Sequence, residues 1–340
     1  MDINQRLNIL ASLGERLLQM TEHEKQELFA TMQNHNNWFT PEQSEMALKG
    51  IIRYLSLSKL KEWTSAYSFK NNESNPSKNI GIIMAGNIPG VGFHDMLCTL
   101  IAGHKAKIKP GSTDHILLPW LVKELKTLSP ELAENISFEE RLSGMDAYIA
   151  TGSDNSARYF DYYFGKYPHI IRKNKTSIAI LNGNESEPDL ELLSKDIFTY
   201  YGLGCRNVSK VYFSDITQVQ YFMKAMENID NVLEHHKYFN NYEYNKSRYL
   251  INKVPHFDNG HLLLVQSREL VSPISVIYFE TYEDADCLKA DLNNLSNKIQ
   301  CMVSKDAWFE GSIPFGTAQN PEVYDYADNV DTLNFLLTLE

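Results

Sequence analysis

Up to about residue 70 the polar and apolar positions read as a run of helices. Two helix starts are marked by capping boxes, Thr21-x-x-Glu24 and Thr40-Pro41-Glu42-Gln43, the second with proline at the first helical position. Residues Asn71 to Lys78 are polar, include Pro76 and read as a linker. Beyond them the pattern changes. Asn79 to Ala85 is a short apolar strand, followed by the turn residues Gly86, Asn87, Pro89 and Gly90 and a helix from Gly92 to Ala102. A strand follows from His104 to Lys109, broken by Pro110-Gly111, and then a helix from Thr113 to Leu125. Ile136 to Phe138 is extended, Asp146 to Ala150 is a strand, and Gly152-Ser153-Asp154 opens another helix. Strand, glycine turn, helix and strand again predicts a parallel sheet with right-handed crossovers.

A second α/β unit starts near Thr176. Ser177 to Leu181 is its first strand and Pro188 to Tyr200 a helix; a cysteine flanked by glycines and the strand Ser209 to Phe213 come next. Further strands are expected at His261 to Val265, Ile274 to Phe279 and Ile299 to Val303, with a helix around Glu283 to Leu292. The stretch from Asn228 to Asn259 is rich in Tyr and Asn, and its pattern assigns it no role.

Bulk properties narrow the classes. A chain of 340 residues exceeds the usual single core, so two lobes are expected. With 43% hydrophobic and 22% charged residues it reads as globular, against disorder or a coiled coil. The net charge of -11 argues against nucleic-acid binding, while leaving room for a small anion at a few basic groups or a helix N-terminus. Charged residues interrupt Met1 to Met20, so no signal-peptide core is expected, and no apolar run is long enough for a membrane span. Cys98, Cys205, Cys287 and Cys301 lie far apart without C-x-x-C spacing, which reads as reduced thiols in the cytoplasm and as no structural metal site.

Several positions could carry chemistry. Cys205, in Tyr201-Gly202-Leu203-Gly204-Cys205-Arg206-Asn207, sits where the backbone can turn tightly against a substrate, and Arg206 could favour its thiolate. The alternative is a small buried thiol kept for packing. Asn87 follows a buried strand, where its amide could face a developing oxyanion or serve only as a turn residue. Lys109 ends a strand and could contact a nucleotide or simply be solvated. Gly152 and Ser153 stand at a helix N-terminus, as a pyrophosphate site or as an ordinary cap. His235-His236 reads as a solvated face, and His94-Asp95 as a proton carrier or a buried polar pair. No G-x-G-x-x-G, Walker loop or H-E-x-x-H is present.

Taken together and in order, these pieces resemble the aldehyde dehydrogenase superfamily, and within it the acyl-CoA reductase branch that includes the fatty-acyl reductases of bacterial bioluminescence. The carriers are GNIPGVGFHDMLCTLIAGHKAKIKPGS, YIATGSDNSARYF, YGLGCRNVSKVYF and SIPFGTAQNPEVYDYADNVDTLNFL, spanning about Asn79 to Leu337. The resemblance implies an α/β, aldehyde-dehydrogenase-like fold with a Rossmann-like cofactor domain and an α/β catalytic domain. The domains would be 1–176 with the N-terminal helices and NAD(P) site, 177–316 with the cysteine, and 317–340 as a C-terminal tail. It also implies Cys205 as nucleophile, Asn87 as oxyanion amide, Lys109 as the adenine-ribose lysine, Gly152 and Ser153 as the pyrophosphate turn, and Glu269 of REL-VSP as the nicotinamide-ribose carboxylate.

Two departures sharpen the expectation. Hydrolytic relatives carry a general-base Glu just before the strand here written TSIAIL, and this chain has Arg172 near that place. Without such a base an acyl-enzyme is harder to hydrolyse, whereas a thiolate such as CoA leaves readily. Gly111 and Ser112 stand where strict NAD users often place an acid after Lys-Pro, which favours NADPH over NAD. The expected activity is reduction of an acyl-CoA or acyl-protein thioester to an aldehyde, with CoA as leaving group. Acyl-phosphate reduction and a non-catalytic nucleotide-binding subunit are the rivals. A homodimer or an acyl-supplying partner fits the resemblance, although the stretch from Val303 to Pro314 is short where the superfamily has an oligomerising arm.

Overall fold

The computed structural model describes residues 1–69, 76–228 and 232–339; most of the expected linker at 71–78 lies outside the described residues. The chain forms two compact units, one from Met1–Asn174 with Glu322–Glu340 and one from Lys175–Pro321.

The first unit opens with α1 (Ile3–Leu18), α2 (Glu22–His35), α3 (Pro41–Tyr54) and α4 (Leu57–Thr64). The Thr21 box forms as expected. Glu24 N–H donates to Thr21 Oγ1 at 3.2 Å, and Thr21 N–H to Glu24 Oε2 at 2.7 Å. There follow β1 (Asn79–Ile83), α5 (Phe93–Ala102), β2 (Lys105–Lys109), α6 (Leu117–Leu128), α7 (Pro130–Ala133), β3 (Ile136–Phe138), β4 (Ala147–Thr151), α8 (Asp154–Phe164) and β5 (His169–Arg172). The strands are parallel in the order β3-β2-β1-β4-β5. Strand order reverses at β1, as in doubly wound nucleotide-binding sheets. The central strands are buried, which is why β1 and β4 read as continuous apolar runs. Helix α6 begins at Leu117, later than the expected Thr113, because Thr113 and Asp114 are engaged elsewhere.

The second unit runs β6 (Thr176–Leu181), α9 (Glu187–Phe198), β7 (Val208–Phe213), α10 (Gln218–Ala225), α11 (His236–Ile251), β8 (Phe257–Asp258), β9 (Leu263–Gln266), β10 (Val276–Thr281), α12 (Ala285–Asn294), β11 (Ile299–Ser304) and β12 (Ser312–Pro314). Its sheet order is β12-β11-β6-β7-β10-β9-β8, parallel except for the β8–β9 pair. The stretch without an assigned role holds α11, whose buried side is built from tyrosines. Tyr238 OH donates to the His261 carbonyl at 3.1 Å and Tyr242 OH to Asp258 Oδ1 at 2.7 Å, so this helix braces β8 and β9.

From Glu322 the chain returns to the first unit, where α13 (Thr332–Leu337) packs on α5. Leu333 and Leu336 are fully buried there, and Trp63 Nε1–H donates to Tyr326 OH at 2.8 Å. Among the described residues no helix is long and apolar enough to cross a membrane.

Candidate active site

In the first unit Asn87, Lys109 and Gly152 follow or close the carboxyl ends of β1, β2 and β4, three neighbouring strands. That end of a doubly wound sheet is where ligands bind. The Asn87 turn is pinned by the loop after Lys109. Thr113 Oγ1 donates to the Gly86 carbonyl at 2.5 Å, Gly90 N–H donates to Asp114 Oδ2 at 2.8 Å, and Met84 N–H donates to the Lys109 carbonyl at 3.1 Å. The two backbones touch: a Cβ on Gly111 would lie 2.8 Å from Gly86 Cα. Only glycine allows this approach. Burial pushes the Asp114 carboxyl up to about 6, against the Gly90 bond that favours its charged form.

Asn87, Lys109, Ser112 and Ser153 are all exposed. Ser153 caps α8, its Oγ accepting from Ser156 N–H at 3.2 Å. Gly152 is wedged against that helix, since a Cβ would lie 2.9 Å from both Ser156 Cβ and Phe160 Cε2. The glycine is thus required by packing, and it brings the end of β4 tightly against the start of α8, a helix N-terminus of the kind that suits a pyrophosphate.

In the second unit Cys205 is exposed, so it is not the buried packing thiol that its sequence setting also allowed. It lies between α9 and β7 in a turn closed by Asn207 N–H donating to the Gly204 carbonyl at 3.0 Å. Ser177, on β6, supports the turn from below. Its hydroxyl is 3.0 Å from the Cys205 carbonyl, to which it donates, and 3.0 Å from Cys301 Sγ. Burial raises the neighbouring Cys301 thiol, and the positive charge of Arg206 and the Ser177 hydroxyl oppose the rise.

Glu269 is exposed on the segment after β9. That segment is fastened to β7 just beyond the cysteine turn. Ser209 Oγ donates to the Leu270 carbonyl at 2.6 Å, and Lys210 Nζ donates to the Ser267 carbonyl at 3.0 Å. Lys210 is fully buried and pairs with Glu280. The second unit therefore ties the cysteine strand to the carboxylate segment through consecutive residues.

Other sequence candidates have structural work. Arg172, at the end of β5, is buried and forms an ion pair with Asp95 at 2.6 Å and a hydrogen bond to Thr332 Oγ1 at 2.8 Å. Asp95 is thereby committed, and His94 bonds the Val323 carbonyl through Nε2 at 2.7 Å among Trp63, Tyr54 and Tyr326. His235 caps α11 through Nδ1 and packs on Tyr201 with ring centres 4.3 Å apart. Among the described residues no cluster of three His, Cys, Asp or Glu is placed to hold a metal.

Sequence reasoning missed two residues that shape the site. Asn207 carries the turn through its side chain, accepting from Gly204 N–H at 2.8 Å and donating to the Thr199 carbonyl at 2.7 Å. Asp196, buried on α9, accepts from Gly316 N–H at 2.6 Å and Ala318 N–H at 3.0 Å, fastening the Pro314-Phe315-Gly316 stretch. Burial pushes its carboxyl up to about 6. The signal for Asn207 was its place two residues after the cysteine; Asp196 left none.

Comparison with known proteins bears on this arrangement. The family profile described as acyl-CoA reductase (LuxC) matches residues 12–237. Solved structures with the same fold include an NAD-dependent benzaldehyde dehydrogenase from Corynebacterium glutamicum (12% identity, TM-score 0.64, covering 89% of this chain and 76% of that one). An NADP-dependent glyceraldehyde-3-phosphate dehydrogenase from Bacillus halodurans is comparably similar (12% identity, TM-score 0.63, 89% and 74%). So is an aldehyde dehydrogenase from Bacillus cereus solved with NAD+ (13% identity, TM-score 0.62, 89% and 72%). The architecture is thus aldehyde-dehydrogenase-like. No curated protein matches the sequence.

Proposed function

The chain belongs to the acyl-CoA reductase (LuxC) family, and from that premise we propose that it reduces an acyl-CoA to the aldehyde through an acyl-Cys205 intermediate, using NADPH. The observation that carries the reading is an exposed Cys205 in an ordered turn of a chain from this family. The Cys205 thiolate attacks the thioester carbonyl, and the Asn87 amide stabilises the oxyanion. The carbonyl re-forms as CoA thiolate leaves, giving the acyl-enzyme. NADPH, when bound, supplies a hydride to the acyl carbonyl. The hydride leaves an oxyanion on the Cys205 thiohemiacetal; as the carbonyl re-forms the C–S bond breaks, releasing the aldehyde and the Cys205 thiolate with no proton transferred.

The residues suited to hold the dinucleotide are Lys109 and Ser112 at the ribose, Gly152 and Ser153 at the pyrophosphate, and Glu269 at the nicotinamide ribose. The absence of an acid at Gly111 and Ser112 supports the phosphorylated cofactor, while the start of α8 beside Gly152 suits the pyrophosphate of either dinucleotide. The setting is the cytoplasm, where the four thiols stay reduced.

Intact-protein mass spectrometry after incubation with acyl-CoA should show one acyl adduct on wild type, discharged by NADPH, and none on Cys205→Ser. An adduct that persists on Cys205→Ser would sink the nucleophile assignment. NADPH oxidation with an acyl phosphate but not with acyl-CoA would replace the substrate.

A further inference from the structure

We propose that Asn207 is the positioning residue of the nucleophile turn, its carboxamide locking the Gly204–Asn207 loop onto the end of α9 so that the Cys205 thiol is presented to the acyl carbonyl. The inference rests on the reading of Cys205 as the acylated residue.

Asn207 is 2% exposed and uses both ends of its amide. Oδ1 accepts from Gly204 N–H at 2.8 Å, while Nδ2 donates to the carbonyls of Asp196 at 3.2 Å, Ile197 at 3.1 Å and Thr199 at 2.7 Å. The donor half alone would suffice to satisfy the last carbonyls of α9. The acceptor half reaches the residue before the cysteine, which a simple cap has no need to do. Below it, the Asn207 backbone carbonyl accepts from Ser177 N–H at 3.2 Å, anchoring the far side of the loop to β6.

The path into the loop supplies a second, independent observation. Tyr200, Tyr201 and Gly202 have φ of 52°, 56° and 78°, three successive left-handed residues of which two carry side chains. Such conformations are costly for L-residues and persist where the surroundings over-determine them, which is typical of functional turns. The carbonyls that Asn207 holds, at 196, 197 and 199, lie immediately before this strained stretch. Asp196 also grips the Gly316 and Ala318 amides, so Asn207 joins the cysteine turn to the Pro314–Gly316 motif.

The test compares Asn207→Ala with Asn245→Ala. Asn245 is equally buried in the same unit, donating to the Asn241 and Ile274 carbonyls at 2.9 and 3.1 Å, but it sits on α11. Both variants should lose thermal stability. Well below both midpoints, Asn207→Ala should slow acylation of the enzyme by acyl-CoA about tenfold or more, a barrier increase of about 1.4 kcal/mol, with NADPH affinity within about twofold. Asn245→Ala should acylate at the wild-type rate. Equal acylation rates in the two variants overturn the proposal, as does loss of folding in both Asn207→Ala and Asn207→Asp. If wild type is never acylated, the enzymatic reading fails instead. Positioning is then read from iodoacetamide, with exposed Cys287 as internal reference. A Cys205-to-Cys287 labelling ratio changed by Asn207→Ala but not by Asn245→Ala supports it, and an unchanged ratio overturns it.

Discussion

Asp114 is a carboxyl group in a place that disfavours its charge, and it holds the turn that carries Asn87. Its folded value, about 6, lies above the ordinary one of 3.8. The protonated form therefore stabilises the fold at pH below about 4, and that contribution is lost as pH rises through 6. Asp114→Asn keeps an oxygen for Gly90 N–H and removes the charge. We expect it to raise stability at pH 8 by about 1–3 kcal/mol, with the difference shrinking as pH falls below 6 and closing only below about pH 4, as read from urea midpoints across that range. At Asn87 itself, replacement by alanine should cut turnover about a hundredfold with folding intact; full activity would remove it from the oxyanion role. These side chains differ in how readable they were. Cys205, Asn87 and Gly152 stand in recognisable local settings. Asn207 and Asp196 act on partners up to 122 positions away or through three carbonyls at once, which no local spacing encodes.

At the scale of elements, β5, α5 and α13 meet through one buried polar group. Arg172 closes β5, Asp95 lies on α5, and Thr332 begins α13. Arg172→Met would leave Asp95 charged and uncompensated, and should cost about 3–5 kcal/mol in chemical denaturation. Adding Asp95→Leu should recover much of that loss, because the desolvated charge goes with it. Apolar runs such as β1, β6 and β10 were legible because strands buried on both faces need them. β5 was not, being four residues long with exposed His169 at one end. α11 was obscured because tyrosines supply its buried side, and they count as neither clearly apolar nor clearly polar. The end of α9 was placed too late. Its continuation through Tyr200 is left-handed, which nothing in those residue types announces.

The whole molecule has a cofactor-type sheet in one unit and the cysteine in the other, and family membership joins them into an expectation about substrate. On the proposal that Lys109 and Ser112 accept a 2′-phosphate, kcat/KM for NADPH should exceed that for NADH by about tenfold, or about 1.4 kcal/mol. Ser112→Asp should erase or reverse the preference by setting a carboxylate against that phosphate. Equal use of both cofactors by wild type would count against the assignment.

The return of residues 322–339 to the first unit also bears on how the protein is born. A ribosome delivers the first sheet early, yet Thr332, Leu333 and Leu336, which complete its packing, emerge only after the whole of 175–321. The earlier half must therefore wait, with α5 and the Arg172–Asp95 pair uncovered, while the later half is uninterrupted in sequence and can close first. Folding during synthesis should run against chain order. The interval in which α5 lacks its α13 cover is when the nascent protein should be most exposed to chaperones and proteases.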